Sequence, residues 1–157
     1  PAAFEECIKY LKDNKYTVVM FISTECPVSN AYNDRMERMF ETYAAKGIAV
    51  LGVNANKAEA VKTIATHSKE HGLKFPVLKD EKNKIADLYG AQVTPETYVI
   101  NPAGKILYHG RIDDNRKGDN IQSRELSDAI DAALAGKTIS KTEAKAVGCS
   151  IKRIGDE

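Results

Sequence analysis

Cysteine is scarce in this chain: Cys7, Cys26 and Cys149 are all it holds in 157 residues. An odd, low count excludes a disulfide-stapled secreted miniprotein. No two of them lie close enough in sequence for a zinc knuckle, and neither a metal nor a cofactor is expected. Charge of one sign is missing too. The 23 basic and 22 acidic residues leave a net charge of +1, which removes the electrostatic case for nucleic acid or an anionic membrane. Lys137, Lys141, Lys145, Lys152 and Arg153 read as a solvated face and tail. No apolar run reaches the roughly 18 residues of a membrane span, and no secretory signal is visible. The chain opens on Pro1 rather than Met, so a trimmed or mature form is expected, and an exported or periplasmic setting is favoured over the cytoplasm. Repeats, low-complexity linkers, a glycine-rich phosphate loop and a serine–histidine hydrolase arrangement are absent as well.

What is present suits one soluble domain with a real core: 43% hydrophobic and 29% charged residues are ordinary globular values. Phe4, Cys7, Ile8 and Leu11 recur on one helical stripe, predicting a helix over 3–13 and a packing role for Cys7. Residues 17–22 and 48–54 are nearly unbroken apolar runs, as strands covered on both faces require. A single helix is predicted from Cys26 to Gly47, with Tyr32, Met36, Met39, Phe40 and Tyr43 inward, the methionines as core filler rather than a copper site. Asn56 with Glu59 three residues on reads as a capping box opening a helix that ends at Gly72, with Val61, Ile64 and Ala65 inward. A short strand over 75–79, a short helix over 83–89, a hairpin from runs 96–101 and 105–111, and a helix over 121–135 complete the order α, β, α, β, α, β, α, β, β, α. Such alternation predicts a largely parallel sheet with helices on both faces and an antiparallel hairpin at one edge.

Cys26 is the informative residue. It sits between the strand 17–22 and a helix, where orphan N–H groups and the helix dipole favour an anion. A thiol so placed is biased toward thiolate, the reactive form, and Pro27 suits the first helical turn. The competing reading is a buried cysteine acting as a small apolar residue. Glu25 would raise the thiol's pKa if it faced the sulfur, and it is expected to point to solvent. His67 and His71 are four apart on a helix beside Lys69 and Glu70, read as a solvated face rather than a metal pair. The run Asp113-Asp114-Asn115-Arg116-Lys117-Gly118-Asp119 reads as a solvated connection.

Several local patterns, in order, resemble the thioredoxin-like superfamily. They are the strand–loop–helix bearing Cys26-Pro27-Val28-Ser29, the Thr94-Pro95 pair, the hairpin from Tyr98 to Tyr108, and the βα unit from Ile48 to Asp80. The nearest branch is similar to the redoxins, which include the alkyl hydroperoxide reductase/thiol-specific antioxidant proteins and the cytochrome-maturation thiol oxidoreductases. The resemblance spans about Phe4 to Leu134, and the Gly148-Cys149-Ser150-Ile151-Lys152 tail looks like that of redoxins with a lone active-site cysteine. It implies a thioredoxin-like α/β fold over 1–136 with the tail 137–157 packed on it. It implies Cys26 as nucleophile, Ser23, Pro27, Ser29 and Thr94 in support, and Pro95 as a cis-proline facing the sulfur.

Two departures follow. Ser29 stands where the resolving cysteine would be, so a local second thiol cannot release Cys26. The peroxidase pattern is degraded, with Val19 for its proline and Ser23 for its threonine, and its arginine is missing unless Arg111 or another residue substitutes. Cys149 is the candidate partner. It pairs with Cys26, pairs with Cys7, or stays free. The leading expectation is a thiol–disulfide oxidoreductase acting on protein or small-molecule thiols and disulfides. The alternatives are a peroxide-consuming thiol peroxidase with Cys149 resolving, and a redox-inactive binding module.

Overall fold

A computed structural model describes residues 2–153; Pro1 and the tail beyond Arg153 lie outside the described residues. The strand β1 (Tyr16–Phe21) holds the centre of a six-stranded sheet. On one side it pairs in parallel with β2 (Ile48–Asn54), which pairs in parallel with β3 (Val77–Lys79). On the other side β5 (Glu96–Ile100) runs antiparallel to both β1 and β6 (Ile106–Gly110). A two-residue strand, β7 (Glu143–Ala144), then adds in parallel beyond β6. The expected parallel body and antiparallel hairpin are therefore present, and the tail extends the sheet by one strand.

The unbroken apolar run of β1 divides by alternation between two layers. Val18 and Met20 enter one, with Met36, Met39 and Tyr43 of helix α3 (Asn33–Ala44) and Leu126, Ala129 and Ile130 of α6 (Glu125–Leu134). Val19 and Phe21 enter the other, with Cys7 and Leu11 of α1 (Ala2–Asp13) and Ile85 and Ala86 of α5 (Lys84–Tyr89). Residues 17–21 of β1 are all buried, and apart from Thr17 they are apolar, as a strand covered on both faces requires. Cys7 packs as the helical stripe predicts, and it is free.

The structure corrects the reading at several points. The helix after Cys26 is two helices, α2 (Pro27–Ala31) and α3, separated at Tyr32. Tyr32 N–H closes a tight turn on Ser29 O at 3.0 Å, and its hydroxyl is held 3.0 Å from Asp113 Oδ1, so the chain is re-aimed there. The helix α4 begins at Val61, not beside Asn56. Asn56 N–H is taken by Asn54 Oδ1 at 3.1 Å, and Glu59 turns inward instead of capping. Val61 is consequently 61% exposed and Ala65 faces solvent, while Ile64 and His67 carry the buried face. His67 is thus not on a solvated face: its Nε2 lies 2.7 Å from Asn30 Oδ1. Asp113 is not a solvated loop residue either. It is buried, bound by Arg35 Nη1 at 2.8 Å. The last helix starts at Glu125 rather than near Ile121.

Candidate active site

The segment after β1 is built to present one sulfur. Cys26 takes an extended conformation at the head of α2, and Pro27 fills the first helical position. Ser29 N–H donates to Cys26 Sγ across 3.4 Å. With α2 only five residues long, individual N–H groups support the sulfur more than a long helix dipole does. Ser29 does structural duty with its hydroxyl, which accepts from Ser23 N–H at 3.2 Å. Glu25 is exposed, as expected.

Opposite the sulfur stands the Thr94–Pro95 peptide bond, which is cis. Thr94 closes the two-residue strand β4 (Val93–Thr94), and its carbonyl oxygen lies 3.5 Å from Cys26 Sγ. Glu96 organises this stretch. One of its oxygens accepts from the N–H groups of Gln92 and Val93 at 2.9 and 3.1 Å, and the other from Tyr98 Oη at 2.8 Å. Burial pushes the Glu96 pKa up, but these bonds and His109 outweigh it and hold the carboxyl below its usual range. His109 Nε2 is committed to Glu96 at 2.5 Å. A cleft of about 210 Å³ beside Pro95 is walled by Val28, Tyr32, Ile112, Lys145 and Val147.

Cys149 joins Cys26 in a disulfide, with Cα atoms 6.0 Å apart and a sequence separation of 123. Of the three open fates of Cys149, pairing with Cys26 is the one adopted. Cys7 is buried and free, its thiol pushed up to about 11, first by burial and then by Asp80. The tail reaches the site as a strand: β8 (Cys149–Ser150) pairs antiparallel with β4, Cys149 opposite Thr94. Beyond it, Ile151 N–H donates to Gln92 O at 2.9 Å and its side chain is buried. Lys152 N–H donates to Asn56 Oδ1 at 2.7 Å. With the tail in place Cys26 is 3% exposed.

Glu59 escaped the sequence reading as a site residue. It is buried under the loop that carries Cys26. It accepts from Ser23 Oγ at 2.6 Å, Thr24 N–H at 2.6 Å and Thr24 Oγ1 at 2.8 Å, and from the amides of Asn54 and Asn56 at 2.8 and 2.9 Å. Burial raises its pKa, yet the bonds from Ser23, Asn54 and Thr24 prevail and depress it. Through Asn56 the same carboxylate is linked to Lys152 of the tail. The signal was two asparagines and an acid just past a strand, but nothing local shows that they converge. Arg111, the candidate replacement for a peroxidase arginine, is bound to Glu125. The rings of His67 and His71 lie 4.4 Å apart, and among the described residues no third ligand joins them.

A cysteine heading a helix after the central strand, a cis-proline loop across from it and this strand order define a protein of the thioredoxin-like class. A model of the AhpC/TSA family matches residues 7–109, and the chain belongs to that family. Two solved structures are similar over nearly the whole chain. A hypothetical protein from Sinorhizobium meliloti 1021 is 32% identical with TM-score 0.86, covering 94% of this chain and 85% of that one. An uncharacterized conserved protein from Geobacillus kaustophilus is 30% identical with TM-score 0.84, covering 94% and 82%. The thiol-disulfide oxidoreductase ResA of Halalkalibacterium halodurans is 30% identical over 95 residues, 60% of this chain and 53% of the relative. The chain thus spans about half the length of the curated relatives it matches.

Proposed function

We propose that the protein is a thiol–disulfide oxidoreductase using Cys26 as nucleophile and Cys149 as the resolving thiol. The observation that carries this reading is the bond between these two cysteines, made beside a cis-proline from opposite ends of the fold. In the reduced protein the Cys26 thiolate attacks one sulfur of a partner disulfide. The partner's other sulfur leaves as a thiolate and takes a proton from water. Cys149 thiolate then attacks Cys26 Sγ, forming the internal disulfide and expelling the partner's remaining thiol. Ser29 N–H supports the anion at Cys26 in the first step. The cleft beside Pro95 is suited to receive the partner's chain, so the substrates are proteins or small molecules bearing thiols or disulfides. The kinship with ResA-type relatives supports the same chemistry. The peroxidase reading has less behind it, since Arg111 is spent on Glu125 and Val19 and Ser23 replace the pattern residues.

Replacing Cys149 with serine tests the division of labour. The variant is expected to attack a model disulfide at the wild-type rate, then stall as a mixed disulfide on Cys26. Turnover falls by about a hundredfold once the internal thiol is gone. Intact-mass spectrometry should show about one adduct per chain, where the wild type retains none. Full turnover without an adduct would remove Cys149 from the scheme.

A further inference from the structure

Gly148 stands next to Cys149, and the reason for glycine there is space. A Cβ built on Gly148 would collide with the carbonyl oxygen and carbon of Thr94 and come to 3.3 Å from Pro95 N. Its φ lies outside the left-handed region, so conformational freedom does not explain the residue. Close approach of two backbones does. The obstructing atoms are main chain, fixed between β4 and β5, where Glu96 pairs with Phe21. They cannot swing aside as a side chain would.

The tail around Gly148 is held on both sides, by β7 on β6 upstream and by β8 on β4 downstream, and only residues 145–148 cross between them. Upstream, Ala144 is buried and pairs with Gly110. Downstream, Ile151 and Lys152 are tied to Gln92 and Asn56. Within the crossing, Lys145 is exposed and Val147 is 73% exposed. Side-chain packing therefore does little to steer the crossing; its backbone contact with Thr94 does. That same carbonyl touches Cys26 Sγ, so the depth at which the tail rides on Thr94 sets how near Cys149 comes to Cys26. The Cα separation of 6.0 Å leaves about 1 Å before a disulfide can no longer span the gap.

We infer that Gly148 is the positioning residue of the release step: it lets the tail lie against Thr94 so that Cys149 can attack Cys26 Sγ. The inference rests on the oxidoreductase reading above and adds a residue that touches neither reacting sulfur. The step it governs is balanced within the chain. Cys149 thiolate supplies the electron pair of the new S–S bond, the bond from Cys26 to the partner breaks, and the partner leaves as thiolate. The first step, attack by Cys26, takes no part of the tail.

The test uses the full-length reduced chain and half an equivalent of an aromatic nitrobenzoate disulfide, whose released thiol is coloured. Cys7, buried with its thiol pushed up to about 11, stays silent. The wild type should release two coloured thiols per disulfide, the second by internal closure. Gly148→Ala and Gly148→Val should release the first at the wild-type rate and the second about a hundredfold more slowly, with the mixed disulfide visible by mass. Glutathione added afterwards should discharge that adduct at the same rate as from Cys149→Ser, which a general distortion around Cys26 would not allow. Wild-type closure in either glycine variant overturns the inference. So does failure of both variants to fold when reduced, because Gly148 would then serve the fold rather than the step. A wild type that releases no thiol through Cys26 overturns the oxidoreductase reading instead, so the two failures are distinguishable.

Discussion

Cys26→Ala is expected to abolish reduction of a model disulfide, lowering the rate at least about a hundredfold, to that of an ordinary exposed thiol. Cys149 remains in the variant, but among the described residues none is seen to donate a hydrogen bond to its sulfur as Ser29 N–H does to Cys26. Following coloured-thiol release from the reduced protein measures the loss directly. A Cys26→Ala protein that keeps wild-type activity would end the proposed mechanism, whatever the tail does. The variant should retain its fold, because alanine leaves the Ser23–Ser29 and Glu59 hydrogen bonds untouched.

Glu59→Ala is expected to cost about 3 kcal/mol or more of folding stability, read from denaturant midpoints of the oxidised protein. The carboxylate, 5% exposed, accepts hydrogen bonds from Ser23, Thr24, Asn54 and Asn56. Removing it strands them in a site with little water, and an unpaired buried donor carries its full desolvation penalty. The same residue gives the protein an acid limit. Its pKa in the fold lies below the ordinary 4.5, so its stabilisation is present above that value and is lost as pH falls through the depressed one. Wild-type stability should therefore decline with acid more steeply than that of the alanine variant. Matching acid profiles in the two proteins would show that Glu59 is not the ionised hub described here.

The central sheet was legible because β1 and β2 are buried on both faces and are apolar but for Thr17 and Asn54. Cys26 was legible because a cysteine between such a strand and a proline-led helix is an unusual arrangement with a chemical reason. Glu59, Glu96 and Asp113 were hidden for a common reason. A carboxylate reads as a surface residue unless its donors can be seen: those of Glu59 and Asp113 come in part from segments some 35 and 80 residues away, and those of Glu96 are mostly backbone N–H groups that any sequence supplies. The division at Tyr32 was hidden because Tyr32 itself falls in the apolar spacing of Met36, Met39 and Tyr43 on α3. In the tail, strands of two residues are too short for any alternation to register. Their places are set by Gly110, Gln92 and Thr94, which belong to other segments.

The strand β7 gives the tail a second consequence. Laid along β6, it covers backbone N–H and C=O groups that would otherwise form a bare rim, the kind of surface through which sheets of separate molecules zip together. Shortening the chain before Glu143 would thus deprive it of Cys149 and also leave it prone to self-association and precipitation. Point substitution at Cys149 or Gly148 separates the chemistry from that loss of solubility.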